Sequence, residues 1–171
     1  MTGVQTCALP ISGNIVTTSA GCASHLASVI GKDRVIEFSQ YWSERTSDLT
    51  PIMRNGRNIR IGFQDSCHGR NGLGIFKEPR EILKKLGEYV EVPGAADCCG
   101  AAGTYSLINK KNSRKVLAPK IDNLKELDLD YLVTINPGCT RQLKSELKRN
   151  RIKTEVVHLA SLVALSKSLS V

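Results

Sequence analysis

The sequence predicts an α/β fold with a mainly parallel sheet flanked by helices. Two observations carry this. Short β-branched runs alternate with helix-period stretches along most of the chain, and cysteines follow directly after several of those runs. Parallel sheets are covered by helices, and they hold ligands beyond the C-terminal ends of their strands.

In chain order, Ile15–Leu26 (IVTTSAGCASHL) reads as a strand, a tight turn and a helix N-terminus bearing Cys22. Arg34–Arg45 (RVIEFSQYWSER) is a short strand leading into a helix. Ser47–Asn58 (SDLTPIMRNGRN) is rich in turn formers and reads as a linker. Ile59–Phe63 is a strand, followed by a glycine-rich loop carrying Cys67. The run GRNGLG after His68 fails the spacing of the dinucleotide fingerprint and reads as a ligand loop. Glu78–Leu86 is a helix with Pro79 in its first turn. Tyr89–Val92 is a strand, and Asp97–Gly103 is a Cys-Cys-Gly loop. Ser113–Leu127 is a helix with an apolar stripe of Val116, Leu117, Ile121 and Leu124, in which Pro119 marks a kink or the true start. Strand Tyr131–Ile135, helix Thr140–Arg149, strand Glu155–Leu159 and helix Ser161–Ser168 complete the series.

Part of this series occurs twice. Leu132–Leu143 (LVTINPGCTRQL) matches Ile15–Leu26 in its Val-Thr, Gly-Cys and Leu, and Glu155–Lys167 corresponds to Arg34–Arg45, which points to a duplicated unit. Residues 1–12 (MTGVQTCALPIS) stand apart, with no charge, no period and no relation to the rest of the chain. They read as a translated sequencing adapter, so Cys7 is discounted as a ligand.

Composition narrows the function. The formal net charge is +8, concentrated in Asn109–Lys120 and Arg141–Lys153. These stretches read as solvated helix faces, with a docking surface for an acidic partner or an anionic membrane as the sharper alternative. Neither has interleaved aromatics or a nucleic-acid reader motif, so nucleic acid is not an expected partner. No apolar run approaches the roughly 20 residues that span a bilayer, and the first residues lack a secretory pattern, so a cytoplasmic protein is expected. No Ser–His–Asp set, paired carboxylates or phosphate loop stands out.

Six cysteines in a reducing compartment point to metal or redox chemistry before structural disulfides. Cys67, Cys98, Cys99 and Cys139 lie in loops beside glycine, where backbone N–H groups can approach a sulfur closely. Cys139 follows Asn136-Pro137-Gly138 at a helix start, which favours its thiolate. Their thiolates suit a [4Fe–4S] cluster or a tetrahedral Zn²⁺ site equally. His68 is a further candidate ligand or a hydrogen-bond donor to sulfur. His25 and His158 read as structural, and Tyr105 as packing over the site.

The stretches DSCHGRNGLGIFKEPREIL, ADCCGAAGTYSL and VTINPGCTRQL, in this order, resemble the cysteine-rich CCG domain family. The resemblance covers Ile59 to Ala164 and is nearest to the iron–sulfur subunit of glycolate oxidase, with the CCG subunit of heterodisulfide reductase and lactate-utilisation proteins as relatives. It implies tandem modules: residues 13–46 the C-terminal remnant of a truncated first module, 47–58 a linker, and 59–171 a complete second module. It implies Cys67, Cys98, Cys99 and Cys139 as ligands of the second module's cluster, with Cys22 belonging to the first. In the heterodisulfide reductase branch a fifth cysteine precedes the last, and here that position is Asn136. The implied function is an electron-transfer subunit, not catalytic alone. It would take electrons from a flavin-containing oxidase or dehydrogenase of a 2-hydroxy acid and pass them toward a quinone or other acceptor. Peripheral association with the inner membrane is compatible with that role. A zinc-stabilised scaffold and a thiol–disulfide redox subunit are the rival readings.

Overall fold

The computed structural model describes residues 13–168. The stretch read as an adapter, with its Cys7, and residues 169–171 lie outside the described residues. In chain order the elements are β1 (Ile15–Thr17), α1 (Ala20–Ile30), β2 (Val35–Glu37), α2 (Phe38–Ser43), β3 (Met53–Arg54), β4 (Arg57–Asn58) and β5 (Arg60–Phe63). There follow α3 (Lys77–Leu86), β6 (Glu88–Val90), α4 (Tyr105–Ile108), α5 (Lys110–Lys125), β7 (Tyr131–Thr134), α6 (Pro137–Arg149), β8 (Glu155–His158) and α7 (Leu159–Ser168).

The main sheet has the order β6-β5-β7-β8, and every pair in it is parallel. Alternate side chains on a strand face opposite ways, so each strand serves two cores. Ile61, Phe63, Tyr131 and Val133 pack on one face with Ile82, Leu83 and Leu86 of α3 and Leu162 and Val163 of α7. Leu132 and Val156 pack on the other with Leu117, Ile121 and Leu124 of α5 and Leu143 and Leu147 of α6. Each fully buried aliphatic side chain contributes roughly 1.5–3 kcal/mol. The expected mixed α/β class, a largely parallel sheet between helices, is what the chain adopts.

The repeated unit is visible in the pairing. β1 pairs with β2 in parallel, Ile15 opposite Val35, just as β7 pairs with β8, Leu132 opposite Val156. The first pair forms its own two-stranded sheet. It is joined to the rest through α1. The Ala20 N–H donates to the Ile135 carbonyl at 3.0 Å. A six-residue π-helical turn, His68–Leu73, packs against α1, and a side-chain carbon at Gly72 would lie 2.6 Å from the Ser24 hydroxyl. The GRNGLG run is therefore a helical turn rather than an open loop, and its glycine permits close packing between two segments.

Three local expectations need correction. The stretch 47–58 is no loose linker: Asn55 and Gly56 take φ of 51° and 76°, the two positive angles of a tight hairpin turn between β3 and β4. That hairpin is tied down by an Arg57–Asp130 ion pair of 2.7 Å, and Ile52 is buried in the first core. Helix α5 begins at Lys110 and carries Pro119 inside it, at the cost of the one backbone bond its ring nitrogen cannot donate. Val116 is half exposed, whereas Leu117, Ile121 and Leu124 form the buried stripe.

Gly87 closes α3 beside β5, where a side-chain carbon would collide with the Ile59 backbone oxygen. Gly87→Ala is expected to lower stability by about 1–3 kcal/mol as strand and helix separate. Thermal unfolding of the variant beside the parent chain measures it, and an unchanged Tm would refute the close packing.

Candidate metal centre

Three parallel strands deliver cysteines to one edge of the sheet. β5 continues through Gln64, Asp65 and Ser66 to Cys67. β6 leads through a turn closed by Ala95 N–H to Val92 carbonyl (2.9 Å) into Cys98-Cys99. β7 runs through Ile135 into α6, whose third residue is Cys139. All these thiols border a single cavity of about 660 Å³, together with His68 and Cys22. Cys22 is likewise the third residue of its helix, α1. The two helix starts are built alike. The Asn136 side chain accepts from the Gly138 N–H at 2.9 Å, and the Ser19 hydroxyl accepts from the Cys22 N–H at 3.4 Å. Both caps leave the positive end of a helix at the cavity wall.

The Cys-Cys-Gly loop solves the problem of aiming two adjacent side chains. Gly100 takes φ 72°, in the left-handed region, and its N–H donates to Cys98 Sγ at 3.3 Å. A side-chain carbon there would lie 2.5 Å from the Ser113 carbonyl oxygen, so α5 packs where only glycine fits. The Ser113 hydroxyl donates to the Gly100 carbonyl at 2.7 Å and accepts from Gln142 at 2.9 Å, fastening the loop to α5 and α6. As a result Cys98 is exposed and Cys99 is buried, yet both line the cavity.

Cys99 and Cys139 have their sulfurs 3.0 Å apart, within hydrogen-bonding distance. Cys99 is the more acidic of the two. The bond from Cys139 draws its pKa down to about 6 against the opposing effect of burial, helped by the Ala101 N–H and the charge of Lys120. The same bond, with burial, pushes the Cys139 thiol up.

The sequence puts Lys120 on a solvated basic face. It is 3% exposed instead. Its ammonium donates to the Asp97 carbonyl at 2.6 Å, to the Ala95 carbonyl at 3.5 Å and to the Gln64 side-chain oxygen, which satisfies all three of its protons. Gln64 in turn donates to the Ala95 and Asp97 carbonyls at 2.9 and 3.0 Å. Burial lowers the pKa of Lys120, and Asp97 and the cysteines oppose that. The Lys120 amine thus lies close enough to Cys98, Cys99 and Cys139 to interact with them electrostatically.

A second buried charge supports Cys67. The Asp65 carboxylate accepts from Arg80 at 2.8 Å and from Arg70, on the π-helical turn, at 3.0 Å, and Arg80 reaches on to Glu91 at 2.8 Å. None of Gln64, Asp65, Arg80 or Lys120 stands out in the sequence. Only the acidic residue shortly before Cys67, matched by arginines downstream, offers a signal.

His68 places Nδ1 3.7 Å from Cys67 Sγ and borders the cavity. His158 is structural, accepting from the Ala160 N–H at 3.1 Å, with burial lowering its pKa. Tyr105 is 40% exposed on α4 and does not line the cavity. Cys22, which the repeat assigns to an earlier site, stands on the wall of this one.

Among the described residues, no three His, Cys, Asp or Glu side chains are gathered as a single metal ion requires. The thiols ring a cavity. Soft thiols, a helix N-terminus and a buried cation fit an iron–sulfur group.

Residues 61–144 match the cysteine-rich domain family named CCG. The chain is 29% identical to the probable glycolate oxidase iron-sulfur subunit of Bacillus subtilis, with 87% of this chain and 38% of that protein covered. It is 28% identical to lactate utilization protein A of a Geobacillus strain, covering 87% of this chain and 69% of that one. The chain therefore spans well under half of the first of these relatives. Among solved structures, a glutamate racemase from Bacillus anthracis superposes with a TM-score of 0.44 at 15% identity, over 91% of this chain and 56% of that one.

Because the pKa of Cys99 lies below the ordinary thiol value of 9.0, its contribution to stability is complete above that value and is lost as pH falls through about 6. The metal-free chain is expected to gain stability across that window as pH rises. A thiolate absorbance band should emerge near pH 6, vanish in Cys99→Ala and move upward in Lys120→Met. A band first emerging near pH 9 in the parent chain would refute the assignment.

Proposed function

We propose that the chain is part of an iron–sulfur electron-transfer subunit. It receives electrons from a flavin-containing oxidase or dehydrogenase of a small 2-hydroxy acid such as glycolate or lactate, and passes them toward a quinone or another acceptor. A reducing cytoplasm suits its free thiols. The observation that carries this reading is the single cavity bordered by Cys67, Cys98, Cys99 and Cys139 from three strand ends, backed by Lys120. The names of the relatives support it.

In this reading the thiolates at the cavity hold an iron–sulfur cluster of four irons and four sulfides, which supplies one-electron transfer when bound. The protein does the rest. The Gly100 turn aims Cys98 and Cys99, the Asn136 cap directs a helix dipole at Cys139, and Lys120 offsets thiolate charge from inside. Exposed Cys67 and Cys98 stand on the side of the cavity nearest solvent, and the basic faces of α5 and α6 suit an acidic partner.

A thiol–disulfide role is the second reading, favoured by the close Cys99–Cys139 pair. Cys99 would attack a disulfide substrate and release one thiol. Cys139 would then displace the other, leaving an internal disulfide and two electrons on the substrate. Both sulfur-bearing residues are only 4% exposed, which impedes a substrate's approach and places this reading second.

After anaerobic reconstitution, about four iron and four sulfide per chain are expected, falling in Cys99→Ala. One zinc and no sulfide would overturn the electron-transfer proposal and leave a structural site.

A further inference from the structure

Cys22 lies outside the segment that matches the cysteine-rich domain, and the repeat assigns it to a separate, earlier site. Its position says otherwise. It borders the same cavity as Cys67, Cys98, Cys99 and Cys139, and it is exposed toward that space. The helix that carries it is held in place by specific contacts. The Ala20 N–H bonds the Ile135 carbonyl at the end of β7 at 3.0 Å. Gly21 lies so close to Asn136 that a side-chain carbon there would be 3.2 Å from its amide nitrogen. Gly72, on the turn after Cys67, admits Ser24 in the same way. Ala20 and Ala23 are fully buried, so one face of α1 is inside the fold and its start cannot drift from the cavity.

The chemistry of the position matches that of Cys139. Each cysteine is the third residue of a capped helix, where unpaired N–H groups and the helix dipole favour a thiolate. Two such ends meet at one cavity. Placing a capped thiol opposite the others is unneeded for packing, because Cys22 is exposed.

We infer that Cys22 is a fifth thiolate of this centre, contributed from the segment before the β3–β4 hairpin, so that the metal group is held jointly by both halves of the described chain. This rests on the iron–sulfur reading above. It means that residues 13–46 form one wall of the site rather than the remainder of another.

The test uses the reconstituted chain and the metal-free chain, each exposed to iodoacetamide, with modification of every cysteine followed by peptide mass spectrometry. Cys22 is expected to react more than about tenfold slower in the loaded chain, in step with Cys67 and Cys98. Cys22→Ser, at an exposed position that leaves the fold intact by circular dichroism, is expected to retain less iron or to change the electron paramagnetic resonance spectrum of the reduced protein. Slowing of Cys67 and Cys98 without Cys22 overturns the inference and leaves the four-thiolate centre standing. Slowing of Cys22 with iron content and spectrum unchanged in Cys22→Ser also overturns it, since the residue is then merely covered. If no cysteine is slowed and no iron is held, the iron–sulfur reading fails first and the inference falls with it.

Discussion

The ammonium of Lys120 is the point on which the candidate centre is assembled. A lysine is rarely buried, because desolvating its charge is expensive unless all its protons are matched. Here the matching groups are the carbonyls of Ala95 and Asp97 and the side chain of Gln64. These belong to the loop before Cys98-Cys99 and to the end of β5, while Lys120 itself comes from α5. One buried charge therefore fastens together the segments that carry Cys67, Cys98 and Cys99, and it faces the thiols with the sign that favours their ionised form. Hydrogen bonds to charged groups contribute about 1.5–3 kcal/mol each, enough to hold an irregular loop in a single shape.

Around that point the fold relies on close approach rather than on bulk. Gly100 lets α5 reach the Cys-Cys-Gly loop, Gly72 lets α1 reach the turn after Cys67, and Gly62 leaves room for Leu129 and Val92 against the sheet. The wall formed by α1 and the wall formed by α6 present the same device, a capped helix start with a cysteine in its first turn. A parallel sheet makes this arrangement natural, since all its strands end on the same side.

Most of the strands and helices are legible in the sequence because β-branched runs and apolar periodicity report burial directly. The cysteines' convergence on one edge follows from the same logic. The features that stay hidden are of a different kind. The hairpin at Asn55-Gly56 reads as a linker because turn formers do not say whether the turn is anchored, and here Ile52 and Asp130 anchor it. Lys120 falls within a basic stretch because a charge pattern gives helix position but not what packs against it. That Cys22 borders the same cavity as the other cysteines is hidden too, because sequence spacing identifies which residues follow strands, not which strand ends become neighbours.

The wide separation of the cysteines along the chain also governs how the protein is made. Cys99 and its partner Cys139 lie 40 positions apart, and β7, which pairs with both β5 and β8, emerges from the ribosome after the Cys-Cys-Gly loop. During translation Cys22, Cys67, Cys98 and Cys99 are all present before the helix that completes the cavity exists. For that interval they are unprotected thiols on an unfinished chain, open to oxidation or to capture of a stray metal. In the proposed reading, loading of the centre is thereby a late event that cannot precede synthesis of Cys139.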